Sequence, residues 1–322
     1  MKAMTSIKKG LKKVEFWPLI LAYIIIVVFF SLTSPYFLTV KNFMSICLYA
    51  SIVGMLSLTT CLILAAGQID FAAGSVIALG SCMMGIMVRA GYSVWIAMAA
   101  CLVMAVITGA FSGFLISYVG MSNFIATLAG MQMWRGVAYL ITNARSIVIT
   151  SDVMDFIGRG RTAGVPNAAI LMLILLILFS LIAKYTSFGR RIFVIGGSQK
   201  VAYLSGINVK LDTLLLYIIH GFITGICAIV FTAQLGAALP TAAQNTNFTA
   251  ISACVLGGVS LTGGKGSLVG AVVGAILLET LSNGMNMIGV SSFWQDVITG
   301  LVLIFAVGLD IIKTKRAAKA RI

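Results

Sequence analysis

Residues 44–88 read MSICLYASIVGMLSLTTCLILAAGQIDFAAGSVIALGSCMMGIMV, and Asp70 is the one charged side chain among them. Two apolar runs, 44–66 and 71–88, meet at Gly67-Gln68-Ile69-Asp70. Each is close to the ~20 residues that cross a hydrocarbon core about 30 Å thick. Backbone in a bilayer must satisfy its own polar groups, so spans are helical. An irregular break at membrane depth is tolerated only against protein or a water-filled cavity. The stretch predicts two membrane helices joined by a protected polar break.

The same reading extends along the chain. Apolar runs near 17–33, 94–118, 123–141, 167–183, 213–235, 248–258, 268–288 and 295–311 bring the total to ten. Sixty per cent of the 322 residues are apolar and 9% are charged, against about 25% charged in an ordinary soluble domain. A soluble enzyme, a disordered chain and a secreted disulfide scaffold are excluded. An outer-membrane barrel would need alternating strands with a polar interior. The expected fold is all-α and polytopic, with about ten transmembrane helices in one domain, 1–322. The eighth run is too short to cross alone. The apolar stretch after the basic N-terminus leads into Thr33-Ser-Pro-Tyr-Phe, which is no small-x-small cleavage site, so it reads as a retained first helix.

The net charge of +14 is distributed as a topology signal. Five lysines precede the first run, five basic residues follow the last, and Lys184, Arg190, Arg191, Lys200 and Lys210 lie mid-chain. Ten spans place both termini on one side. With Lys265, sixteen basic residues then face the cytoplasm and five face outward, as the positive-inside rule expects. These clusters imply contact with anionic membrane lipid rather than nucleic acid. The six cysteines form no C-x-x-C pair and the chain has one histidine, so they read as small packing residues and no metal site is expected.

Polar residues inside the apolar runs are the candidate pathway residues. Glu279, Asn283 and Asn286 lie at i, i+4 and i+7 and form a polar stripe, which faces protein or an aqueous path rather than lipid. The glycine ridge Gly266, Gly270, Gly274 occupies a different face of that helix and suits close helix packing. Asn123, Thr127, Gly130 and Trp134 share another face. An amide, a hydroxyl and an indole suit a neutral polyol, and equally suit helix–helix bonding. Arg135, off that face, reads as snorkelling or paired with an acid. Asp70 reads as the N-cap of the third helix or as a pathway group. His220 is a weak candidate for a proton relay, with Asp212 the nearest acid in sequence.

Two loops are long. The outer one is 143–166. The inner one, 184–212, reads KYTSFGRRIFVIGGSQKVAYLSGINVKLD. Ser198 suits a helix N-cap and Gly206 a helix end, which predicts a two-turn helix between them. So short an exposed helix needs a surface to pack on, either the membrane or a cytoplasmic partner. Residues 257–266, GGVSLTGGKG, fail the phosphate-loop pattern at Val259 and Gly266. Any ATP must be bound elsewhere, so no cofactor is expected on this chain.

Four segments in order, GQIDFAAGSVIALGS, SNFIATLAGMQMWRGVAYLIT, SFGRRIFVIGGSQKVAYLSGINV and LGGVSLTGGKG…FAVGLD, resemble bacterial monosaccharide ABC importer permeases, the ribose permease family. The resemblance covers about residues 40–310. It implies a permease subunit in the bacterial inner membrane, paired with a second permease subunit. It also implies a cytoplasmic tandem-cassette ATPase and a periplasmic or lipid-anchored sugar-binding protein. Gly189, Arg190, Gly196, Gly197, Ala202, Leu204, Ser205, Gly206 and Ile207 match the family's ATPase-coupling loop. Departures fall at Gln68, where Gly is usual, at Ser198-Gln199, and at Asn247-Phe248-Thr249, where Glu-Leu-Asp is frequent. The expected function is transport of a monosaccharide or related polyol by alternating access, driven by a partner's ATP hydrolysis. The chain itself is not expected to be an enzyme. A stand-alone secondary transporter or channel is the alternative, although no paired intramembrane carboxylates suggest ion coupling.

Overall fold

A computed structural model describes residues 17–295, 297–302, 304 and 308. Among the described residues the helices are α1 (Trp17–Thr33), α2 (Val40–Ala65), α3 (Ala73–Arg89), α4 (Val94–Phe114), α5 (Asn123–Thr142), α6 (Asp152–Gly158), α7 (Asn167–Tyr185), α8 (Ser187–Gly197), α9 (Gln199–Leu204), α10 (Val209–Leu235), α11 (Thr246–Leu256) and α12 (Leu268–Met287). A π turn, Leu115–Val119, extends α4. Two antiparallel pairs of two-residue strands join β1 (Ile147–Val148) to β4 (Ala237–Ala238) and β2 (Arg161–Thr162) to β3 (Val165–Pro166).

Among the described residues five helices are long and apolar enough to cross a membrane: α2, α4 with its π turn, α7, α10 and α12. Apolar side chains such as Ile25, Val103, Ile107, Leu140 and Ile177 point away from the protein on several helices. Exposed apolar surface on that scale marks a membrane-facing body. The chain is a helical membrane protein.

Local chemistry sets the helix ends. Thr39 caps α2 by accepting from Asn42 N–H, Ser93 caps α4, Asn208 caps α10 and Ser267 caps α12. Gly236 ends α10 with φ 69°, a left-handed turn that favours glycine. These caps move two expected boundaries outward: α2 begins at Val40 rather than 44, and α10 at Val209 rather than 213. The eighth run appears as α11, 11 residues or about 16 Å, too short to cross alone. The tenth run, 295–311, lies largely outside the described residues; 292–295 and 297–302 are helical.

Helices α2 and α10 form the centre. Helix α2 is enclosed by α7, α10, α11 and α12, while α10 runs along α4 and also meets α2 and α3. Small residues allow the closest approaches. A Cβ on Gly109 would run into the Tyr217 carbonyl, and one on Gly221 into the Ala105 carbonyl. On α12 the glycine ridge meets α11, where a Cβ on Gly274 would strike the Ala253 carbonyl. Five cysteines are buried in this packing, and Cys101, Cys227 and Cys254 lie close to carbonyls of neighbouring helices.

Overpacking of such a contact costs about 1–3 kcal/mol. Gly221→Leu should therefore lower the melting temperature of the detergent-purified protein by several degrees. Gly136→Ala, at a position with open space around it, should leave it unchanged or raise it.

Candidate functional site

The break between α2 and α3 is the first centre. Ala66 and Gly67 close the end of α2, and the chain runs non-helically to Ala72. The Asp70 carboxylate accepts from Ala72 N–H. It therefore supports the first turn of α3 from inside the loop rather than from the residue before the helix. The Ile69 carbonyl accepts two hydroxyls, Tyr217 Oη at 3.2 Å and Thr127 Oγ1 at 3.4 Å. Thr127 also bonds the Asn123 carbonyl. Polar backbone withdrawn from water is thus supplied by side chains of α5 and α10, as its depth requires.

His220 completes this centre. Its Nδ1 bonds Thr59 Oγ1 at 2.8 Å, and its Nε2 lies 3.7 Å from Asp70 Oδ2. That separation exceeds a hydrogen bond, and Nε2 has no other partner among the described residues. The acid nearest His220 in sequence, Asp212, is not its neighbour. Asp212 is buried and forms a bidentate pair with Arg191, at 2.7 and 2.9 Å. These hydrogen bonds hold the Arg191 guanidinium above its ordinary pKa. Removing one partner of a fully buried pair costs about 3–5 kcal/mol. The cost is smaller here, because the Arg191 side chain is 36% exposed.

Glu279 occupies a second centre. It lines a cavity of about 480 Å³ with Asn245, Phe248, Thr249, Ser252 and Ser282, a volume in the usual range for small-molecule sites. Gln295 bridges the polar stripe to the segment that follows, accepting from Ser282 and donating to Asn286 Oδ1 at 2.7 Å. Asn283 Oδ1 is buried without a partner among the described residues. The Phe248 ring reaches the break, 5.7 Å from Phe71, which in turn meets Phe124 edge-on at 5.4 Å.

The expected pathway residues therefore separate. Asp70 and Thr127 meet at the break; Glu279 lines the cavity, while Asn286 reaches it only through its bond to Gln295 and Asn283 does not line it. The Asn123 side-chain oxygen accepts from the adjacent Phe124 N–H. Trp134 packs against Ala72, Val76 and Ala105, with Phe111 edge-on at 5.7 Å. Arg135 neither snorkels nor meets an acid. It donates to the Pro240 and Ala242 carbonyls, both at 2.7 Å, and ties down the 236–245 turn. Thr59, Tyr217 and Phe71 were not anticipated. The only trace of them in the sequence is a hydroxyl or ring inside an apolar run, and that is common.

The central loop holds two helices where one was expected. Ser198 caps α9 by accepting from Val201 N–H, and Gly206 follows with φ 77°. Ala202 is buried, while Val201, Tyr203 and Leu204 are exposed. Ser205 bonds back to the Val201 carbonyl, and Ile207 N–H to that of Ala202. Upstream, Thr186 caps α8 through Gly189 N–H, and Arg190 donates to the Tyr185 carbonyl. Gly189 lies hard against Ala183. Gly196 sits so near the Ala65 carbonyl and Gly264 that no Cβ fits, whereas Gly197 is unencumbered. Gly264 N–H donates to the Ala65 carbonyl at 2.8 Å. The glycine loop thus closes the end of α2. A second cavity, about 1010 Å³, is lined by α9 and the start of α10 on one side and by Gln68 and Ser117 on the other, with Thr213 also in its wall.

The family described as branched-chain amino acid transport system / permease component matches residues 42–307. The chain is 34% identical to the ribose import permease protein of Bacillus subtilis, over 90% of this chain and 91% of the relative. It is 32% identical to the ribose import permease protein of Escherichia coli K12 (90% and 92% covered) and 31% identical to that organism's xylose transport system permease protein (96% and 95%). No solved structure matches the chain.

Hydrogen bonds from a charged donor contribute about 1.5–3 kcal/mol, so Arg135→Ala should free the turn it holds. With Ala242→Cys as a reporter at this buried position, maleimide labelling should run at least about tenfold faster in the Arg135→Ala background.

Proposed function

The chain belongs to the branched-chain amino acid transport system / permease component family, and from that membership we propose that it is the membrane permease of an ATP-driven importer for a monosaccharide or related polyol. The observation that carries the substrate class is the Glu279 cavity. A carboxylate and amides that accept and donate to hydroxyls, beside the apolar face of Phe248, are what a neutral polyol needs. Among the described lining residues Glu279 is the only acid. Phe248 and Thr249, two of the departures from the resembling family, lie on the same wall, which supports a substrate preference of its own. The ribose and xylose named for its relatives support the same class.

The chain crosses the bacterial inner membrane ten times as one domain, with both termini in the cytoplasm and the 184–212 loop on that side. ATP is bound and hydrolysed by a cytoplasmic tandem-cassette ATPase, and the chain itself is not an enzyme. Val201, Tyr203 and Leu204, apolar and exposed around the buried Ala202, form the surface on which that ATPase docks. A sugar-binding protein delivers the substrate from outside, and a second permease subunit, identical or paralogous, completes the pathway. Alternating access then opens the polar centres to each side in turn.

In liposomes holding the assembled importer, Glu279→Gln should reduce uptake about tenfold or more, the size of one lost charged hydrogen bond, with the ATPase still bound. Leu204→Asp, at an exposed position, should leave membrane insertion intact and release the ATPase from the purified complex. Normal association would overturn the docking assignment. ATP-independent uptake by the purified chain alone would instead favour a stand-alone transporter, for which the Asp70–His220 approach is the feature to pursue.

A further inference from the structure

We infer that α10 is the lever by which movement of the central loop resets the break at Asp70, with Arg191 and Asp212 at its loop end and Tyr217 and His220 at its break end. The inference rests on the reading of 184–212 as an ATPase-coupling loop, and it names positioning residues within that machinery.

The contacts form a closed frame. At one corner, α8 grips α10 through the bidentate Arg191–Asp212 pair. At the second, α10 grips the break: Tyr217 Oη bonds the Ile69 carbonyl, and His220 faces Asp70. At the third, Gly196 of α8 abuts Ala65 and Gly67 at the near end of that break. Asp212 and His220 are eight residues apart on a continuous helix, about 12 Å along its axis. The helix between them is unbroken.

Two further features favour this route. The 1010 Å³ cavity lies between α9 and Gln68, so the short helix does not push on the break directly. Its motion passes through α8 and through the 205–208 link to the capped start of α10. Where α10 runs along α4, Gly109 and Gly113 lie against Tyr217, Gly221 and the Leu214 side chain, a close contact with small residues on the α4 side. The 3.7 Å gap between His220 Nε2 and Asp70 Oδ2 exceeds a hydrogen bond by less than about 1 Å. A shift of that size makes the bond or widens the gap. His220 is held for the task by Thr59 on α2.

The test uses the complete importer in liposomes, with uptake and ATP hydrolysis measured on the same preparation. Asp212→Asn keeps the size of the side chain and removes the ion pair. Tyr217→Phe removes one hydroxyl. Each variant should retain the ATPase and keep hydrolysis within about twofold of wild type, while uptake falls about tenfold, the scale of one lost hydrogen bond. The double variant should be no worse than the more severe single one, because both substitutions cut the same lever and their effects cannot add. Arg191→Lys, which keeps the charge, should retain part of the uptake. Uptake and hydrolysis falling in proportion, losses that multiply, loss of the ATPase from both variants, or unaltered uptake would each overturn the lever. ATP-independent uptake by the wild-type protein would mark failure of the underlying reading instead. ATP-dependent wild-type uptake with unaffected variants would overturn the lever alone.

Discussion

Between Ala65 and Ala73 the backbone leaves its helix among largely buried residues, and much of the surrounding structure serves to satisfy it. Thr127 and Tyr217 converge on the Ile69 carbonyl from two helices. Gly264 donates to Ala65 from a third segment. The Asp70 carboxylate takes the Ala72 N–H. Without these partners, each orphaned group would cost several kcal/mol in an apolar interior. The break persists because it is over-determined by neighbours distant in sequence.

That constraint also explains the placement of glycine. Glycines 67, 196, 263 and 264 meet where the break, α8 and the glycine loop come together, and a side chain on Gly196 or Gly263 would drive the segments apart. The 184–212 loop is therefore packed directly on the break, and α10 joins the two a second time. Polar groups in this protein are few, yet several serve the same short segment. The Glu279 cavity stands separately beside α11 and α12, linked to the break through the Phe248–Phe71 ring contact.

Much of the architecture was legible in the sequence. Apolar runs of membrane length and single polar breaks mark helices and their ends whatever the tertiary packing, because a bilayer permits little else. Ser198 and Gly206 announced α9, and the Gly266–Gly274 ridge announced a close helix contact, since both depend on local geometry. Helix α8 was missed because its residues, Ser187–Gly197, are polar, aromatic and glycine-rich, and what buries Ile192 and Ile195 lies elsewhere in the chain. Arg135 was misread for the same reason. Its acceptors are carbonyls more than a hundred residues away, and a carbonyl leaves no mark in a side-chain pattern.

The sequence alone determined the class of molecule, the approximate helix positions, the charge asymmetry and the residues too polar to face lipid. These follow from transfer free energies and helical period, which are properties of short segments. Only the tertiary structure decided which polar residues meet. It paired Asp212 with Arg191 and turned His220 toward Asp70. It gave Glu279 a cavity and left Trp134 among packed side chains. Partnership depends on how helices far apart in the chain are rotated against one another, and that rotation is set by packing of the whole bundle rather than by any one segment.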